Sequence, residues 1–245
     1  MPMSFGTARA AALAILSGLS ALGSPPAMAA GSPSVIELFT SQGCSSCPPA
    51  DEVLAALAKN PDLIAISLPV DYWDYLGWKD TFAKPAFTER QRGYSAARGD
   101  RQVYTPQAVI NGREHANGAS RSEIARAVAA TAPGLNVPVG LVRKGDSVVV
   151  TVGAAGAASK GTIWVMPVIG QREVAIGRGE NARRKVVYTN IVREVAPIGD
   201  WTGAATNLAV TSAQLKDADS VVVIVQAGTA ARPGPILGAA QLALR

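Results

Sequence analysis

Two residues in this chain have the type and spacing for redox chemistry: Cys44 and Cys47, the only cysteines among 245 residues, in the run Cys44-Ser45-Ser46-Cys47. The pair directly follows an apolar, β-branched run, Ser34 to Thr40, and directly precedes Pro48-Pro49, a pair suited to the first turn of a helix. A sulfur at a helix N-terminus has its thiolate stabilised by the macrodipole and the unpaired N–H groups, which brings its pKa towards the range where it attacks disulfides. The three-residue spacing lets both sulfurs meet within one turn. Cys44, at the exposed end, is expected to be the nucleophile, and Cys47, covered by the helix, the thiol that resolves a mixed disulfide. Two other readings stand beside this one. A structural disulfide would close so short a loop that it removes little entropy from the unfolded chain. A copper or zinc carrier would need His115, the single histidine, as a further ligand. Three Cys and His residues are too few for a four-ligand zinc site of those types, and His115 falls in a predicted strand.

Other candidates surround the pair. Glu37, on the strand before Cys44, is either a proton acceptor for the resolving thiol or an acid paired with an arginine. Thr105-Pro106 opens a later strand. An X-Pro bond turns cis for only about 0.5–1 kcal/mol, and a cis proline beside a dithiol leaves a backbone edge free for an extended substrate. A trans proline starting an edge strand is the plainer alternative. The stretch from Asp71 to Trp78 holds four of the thirteen aromatic residues. There Asp71, Tyr72, Trp73 and Trp78, with Tyr75, either shape a substrate groove or pack the loop onto the sheet. Asp71 and Asp74 lack the loop motif of a hard-cation site, and no metal site is expected. No G-x-S-x-G motif is present, and no pair of acids has a readable separation for glycosidase work.

The elements that must position these residues alternate up to residue 132. Ser34 to Thr40 reads as a buried strand, Pro48 to about Lys59 as a helix, and Leu63 to Val70 as a second strand parallel to the first. About Ala86 to Arg98 reads as a polar helix. Gln107 to Ile110 and Arg113 to Asn117 read as a hairpin across Asn111-Gly112, and Ser120 to Ala130 as a helix with a Ser120/Glu123 capping box. This β-α-β-α-β-β-α order is that of thioredoxin. It brings the ends of the first two strands, the aromatic loop and Thr105-Pro106 to one edge. After Ala132-Pro133-Gly134 come eight short strand candidates between glycine turns: Val137 to Val142, Ser147 to Val152, Thr162 to Ile169, Glu173 to Ile176, Lys185 to Glu194, Ala205 to Val210, Ser220 to Gln226 and Ile236 to Leu244. The expected fold class is an α/β thioredoxin-like domain, residues 30–133, followed by an all-β sandwich-like domain, residues 134–245.

Residues 1–29 read as a signal peptide: Arg9, an apolar stretch from Ala10 to Leu22, and Ala27-Met28-Ala29 as the cleavage signal. The apolar stretch falls short of the roughly 20 residues a membrane helix needs, so the mature chain is expected in the periplasm or secreted, with no stable membrane span. Removing Arg9 lowers the formal charge of +5 by one. The basic residues are scattered apart from Arg183-Arg184-Lys185, so no nucleic-acid partner is expected. The composition, 48% hydrophobic with two cysteines, excludes both a disordered chain and a disulfide-dense miniprotein.

Residues 34 to 132 resemble the uncharacterised secreted thioredoxin-like proteins of Gram-negative bacteria. The resemblance rests on Val35 to Asp51 around the cysteines, on Val70-Asp71-Tyr72-Trp73-Asp74 and on Tyr104-Thr105-Pro106-Gln107. It extends into the second half at Arg178-Gly179-Glu180-Asn181 and Tyr188-Thr189-Asn190. That family is a domain of unknown function. The wider thioredoxin superfamily implies dithiol-disulfide exchange, with Cys44, Cys47 and a cis Pro106 in the working positions. Ser-Ser between the cysteines and the long aromatic insertion depart from thioredoxin itself. The expected function is exchange with a protein thiol or disulfide, without a cofactor. The rivals are a non-catalytic binding protein with a structural disulfide and a metal carrier.

Overall fold

The computed structural model describes residues 1–3, 32–156 and 159–245. The expected signal peptide and its cleavage site lie almost wholly outside the described residues.

Strand β1 (Ser34–Thr40) is buried along its whole length, and its side chains divide by parity. Ile36 and Leu38 pack with Ala50, Val53 and Leu54 of helix α1 (Pro48–Leu57) and Ile124 of helix α3 (Arg121–Thr131). Val35 and Phe39 point the other way, into a core shared with Phe87 and Tyr94 of helix α2 (Pro85–Arg98). The two-residue repeat of a strand makes this division obligatory. Strand β2 (Leu63–Pro69) runs parallel to β1 from Ser34 opposite Leu63. On the other side of β1 lies the antiparallel β3 (Gln107–Ile110), which pairs in turn with β4 (Glu114–Asn117). Asn111 and Gly112 in the turn between β3 and β4 have positive φ, 50° and 65°, but Ile110 pairs with Glu114, so the connection holds three residues, Asn111 to Arg113, where two were expected. Ser120 caps α3 by accepting from Glu123 N at 3.3 Å. Glu123 Oε2 accepts from Asn117 N rather than from Ser120 N, so the capping box is open on one side.

Among the described residues, the second half supplies eight strands: β5 (Val139–Lys144), β6 (Ser147–Val152), β7 (Gly161–Ala175), β8 (Lys185–Val192), β9 (Ala196–Trp201), β10 (Thr206–Val210), β11 (Ser220–Thr229) and β12 (Arg232–Ala243). Two strands expected between Thr162 and Ile176 are one long strand, β7, whose two stretches have different neighbours: β9 and β11 first, β8 later. Strand β9 had no counterpart in the sequence reading.

The expected fold class is corrected here. The protein is mostly β, and its centre is one mixed sheet of nine strands, in the order β12-β11-β7-β8-β2-β1-β3-β4 with β9 on β7. It is not an α/β thioredoxin-like domain joined to a separate sandwich. The two halves meet where β8 pairs in parallel with β2 at Ser67 and Ile191. Ser67 Oγ donates to Thr189 O at 2.9 Å and Asn190 Nδ2 donates to Ala65 O at 2.9 Å. The cause is that β2 (LIAISLP) is apolar on both faces and nearly all buried. Its free backbone edge needs a partner, and that partner lies 122 residues away.

In β11, Val222 and Ile224 face the core of Phe87, Tyr94 and Met166, while Val221, Val223 and Val225 face a second core. That second core is closed by a small sheet, β10-β6-β5, through Val148, Val150, Val152 and Val210, with Trp201 buried among them. A buried ion pair ties α2 across the large sheet. Arg90 Nε donates to Glu37 Oε1 at 2.7 Å, and Arg90 Nη2 to Gln226 Oε1 of β11 at 2.9 Å.

Candidate functional site

Cys44 and Cys47 form a disulfide, with their Cα atoms 5.4 Å apart, at the C-terminal end of β1 and the start of α1. The loop between strand and helix is held by Cys44 N donating to Ser41 O and Cys47 N donating to Cys44 O, each at 3.2 Å. Pro48 and Pro49 occupy the first helical positions and carry no N–H. The next two donors, Ala50 N and Asp51 N, both point to Cys47 O at 2.8 and 3.1 Å. Few free helix amides are therefore left for a thiolate. What faces Cys44 instead is a hydroxyl, Ser46 Oγ, 3.3 Å from Cys44 Sγ. Ser45 and Ser46 are exposed, yet Cys44 is only 2% exposed and Cys47 is fully buried.

Three segments expected at this edge do meet there. The Thr105–Pro106 bond is cis. Ser46 Oγ donates to Thr105 O at 3.5 Å, and Trp73 Nε1 donates to Thr105 Oγ1 at 2.8 Å. Trp73 crosses close over the loop before the cysteines, so that a Cβ at Gly43 would lie 3.1 Å from Trp73 Cβ. Tyr75 stacks on Trp73 with ring centroids 6.5 Å apart, and its outer face is free, 77% exposed. Trp78 Nε1 donates to Gln42 Oε1 at 2.8 Å. Thr105, Pro106, Trp73 and Trp78 thus lie against the cysteine loop. Asp71 and Tyr72 instead face α2: Thr88 Oγ1 donates to Asp71 Oδ1 at 2.6 Å, and Tyr72 donates to Gln91 Oε1 at 3.2 Å.

Glu37 lies across the sheet from the cysteines. It shares its parity with Val35 and Phe39, and its carboxylate is taken by Arg90 and by the hydroxyl of Tyr94. This is the arginine-paired arrangement. The residue of matching parity is Thr40, whose Oγ1 donates to Asp51 Oδ1 at 2.9 Å on the α1 side. His115 is also engaged, with Nδ1 3.0 Å from the Tyr104 hydroxyl and Nε2 3.3 Å from Asp100 Oδ2. Burial, helped by the Arg98 cation, holds its pKa below the usual histidine value. Among the described residues no group of three His, Cys, Asp or Glu side chains converges to hold a metal ion.

Four residues of the site were not singled out as candidates from the sequence. Asn181, in the turn between β7 and β8, is buried and donates from Nδ2 to Cys44 O at 2.8 Å and to Gln42 O at 3.0 Å. Its neighbour Glu180 accepts from Ser45 N at 3.2 Å. Asp80 accepts from Gln42 N at 2.7 Å and from Phe82 N and Ala83 N at 2.8 and 3.1 Å. Burial raises its carboxyl from 3.8 to about 6, despite those three donors. Asp51 is 2% exposed, and burial lifts its carboxyl well above the ordinary range. The one advance sign of the turn was the Arg178-Gly179-Glu180-Asn181 string within the family resemblance.

No curated protein matches the chain. Among solved structures, protein AGR_C_4864 from Agrobacterium tumefaciens is similar over 87% of this chain and 95% of its own, at 38% identity and a TM-score of 0.78. HBP35 of Porphyromonas gingivalis aligns over 87% of this chain and 76% of its own at 14% identity and a TM-score of 0.58, a likeness of fold alone. The family described as "Protein of unknown function (DUF1223)" matches residues 35–226. With that match over most of its length, and with the cysteine loop, the aromatic loop and the Glu180–Asn181 turn all inside it, the chain belongs to this family.

Proposed function

We propose that the protein is an exported thiol-disulfide oxidoreductase that exchanges its Cys44–Cys47 disulfide with cysteines of other proteins. The observation that carries this reading is the setting of the pair: a disulfide at a strand-to-helix junction, with a hydroxyl 3.3 Å from Cys44 Sγ and the backbone carbonyl of Thr105 beside it. In the oxidising direction, a substrate thiolate attacks Cys44 Sγ. The Cys44–Cys47 bond breaks, Cys47 leaves as a thiolate that must gain a proton, and a mixed disulfide forms at Cys44. A second substrate thiolate then displaces Cys44, so the substrate ends as a disulfide and the protein as a dithiol. The reducing direction is the reverse of each step. The leader-like sequence supports an oxidising, extracytoplasmic location, where such a couple has substrates. Among the described residues no helix is long and apolar enough to cross a membrane.

One observation favours a second reading, a binding protein with an inert disulfide: the burial of both cysteines, with the loop between them held at the Cys44 carbonyl by Asn181. Trapping separates the two. A Cys47→Ala variant of the exported protein should accumulate mixed disulfides at Cys44 that dissolve on reduction. An empty trap, together with a couple below about −300 mV, would establish the inert disulfide instead.

A further inference from the structure

Asp51 has no part in the mechanism above, yet its surroundings are those of a working acid. It sits four residues beyond Cys47 in α1, and its own N–H donates to Cys47 O at 3.1 Å. Residues at this spacing share a helix face, with Cβ atoms about 5–6 Å apart. Both side chains are buried, at 2% and 0% exposure. Thr40 satisfies Asp51 Oδ1, but Asp51 Oδ2 is buried with no hydrogen-bond partner among the described residues. Native proteins rarely leave a buried carboxyl oxygen unmatched.

The missing partner is one the oxidised protein does not have. When the disulfide opens, Cys47 becomes a buried thiol that must hold a proton, on the same helix face as the open oxygen. We propose that Asp51 is the proton store of the Cys47 thiol, a role that rests on the exchange reading. As the disulfide opens, Asp51 passes its proton to the departing Cys47 sulfur and remains as a carboxylate accepting from the new S–H. As the disulfide closes, the carboxylate takes that proton back, Cys47 attacks the Cys44 sulfur of the mixed disulfide, and the partner leaves as a thiolate. One S–S bond forms, one breaks, and the proton returns to Asp51.

The groups facing Asp51 keep its charge costly. Asp80 and Glu52 are both acidic, and Tyr188 of β8 lies within electrostatic reach and is itself held neutral by burial and by Asp51 and Asp80. The Thr40 hydroxyl is the one neighbour here that favours the carboxylate. An acid whose neutral form is favoured while the disulfide is closed suits a store that empties only when the bond opens.

The reduced full-length exported protein, mixed with glutathione disulfide, tests this by following the lifetime of the glutathione adduct on Cys44 between about pH 5 and pH 8. In the wild type the adduct should resolve quickly at neutral pH. Asp51→Asn should lengthen its lifetime by about tenfold or more, with resolution following the ionisation of Cys47 alone. Thr40→Val keeps the acid but removes its supporting hydroxyl, so the limb of the pH profile should move to higher pH; it decides the matter if Asp51→Asn does not fold. An adduct that forms normally and resolves with the wild-type profile in both variants overturns the role of Asp51 and leaves the exchange reading standing. A wild type that forms no adduct, with an empty Cys47→Ala trap, removes both.

Discussion

At the scale of residues, charge burial gives two measurable outcomes. Asp80 is protonated in the folded state up to about pH 6 but in the unfolded chain only to about 3.8. Between these values folding takes up a proton, so stability falls as pH rises across that window, by about 3 kcal/mol in total, and then levels off. Urea unfolding at steps from pH 4 to 7 should show this slope, and Asp80→Asn should remove it, the loss of the Gln42 N acceptor adding a pH-independent cost. Glu37→Gln leaves the Arg90 guanidinium buried without its counter-charge, which costs about 3–5 kcal/mol by the same measurement. If Glu37 serves structure alone, that variant still forms mixed disulfides at Cys44. The parity of β1 was legible in SVIELFT, because alternate residues of any strand face opposite ways. Parity by itself separates Glu37 from Ile36, Leu38 and Thr40. What could not be read was which of the two sets α1 would cover, and so an arginine pair for Glu37 stayed one of two readings, and neither Arg90 as its partner nor the burial of Asp51 was visible.

At the scale of elements, the turn between β7 and β8 works on the cysteine loop from outside it. Asn181→Ala leaves the buried carbonyl of Gln42 without its donor and takes from that of Cys44 one of its two, Cys47 N being the other, which costs about 1–3 kcal/mol. It should also loosen the cover over Cys44, so that the reduced variant reacts with iodoacetamide faster than wild type; equal rates would show that the cover lies elsewhere. On the opposite wall, Gly43→Ala sets a Cβ 3.1 Å from Trp73 Cβ and 3.2 Å from its carbonyl oxygen. The aromatic loop must then give by a few tenths of an ångström, and a lower melting temperature with altered tryptophan fluorescence is expected. Local signals found most elements: Pro48-Pro49 for α1, Asn111-Gly112 for the hairpin, Ser120 for α3. They failed at β7, where Gly170-Gln171 looked like a break and is instead continuous strand beside β8, the change of neighbours falling just before it at Val168, which pairs with both Ser220 of β11 and Val192 of β8.

At the scale of the molecule, the shared sheet makes the two halves interdependent. A fragment ending at residue 133 would bare the edge of β2, the core side of α2 and the Arg90–Glu37 pair, whose third partner is Gln226. It should be poorly folded or self-associated by circular dichroism and sedimentation, whereas two independent domains would leave it a stable monomer. Strand periodicity identifies β2 and β8 separately but carries no record of their pairing, which is why the fold class read from element order was wrong while much of the order itself appears.

The same parallel pairing bears on how the chain comes into being. Parallel strands so distant in sequence close late, after much loop entropy has been lost. At synthesis rates of about 5–20 residues per second, the 122 residues between Ser67 and Thr189 take roughly 6–24 s to follow. For that interval the growing polypeptide holds β2 without its neighbour and the cysteine loop without the Glu180–Asn181 cover. The nascent protein therefore offers its thiols to the surroundings before it can shelter them.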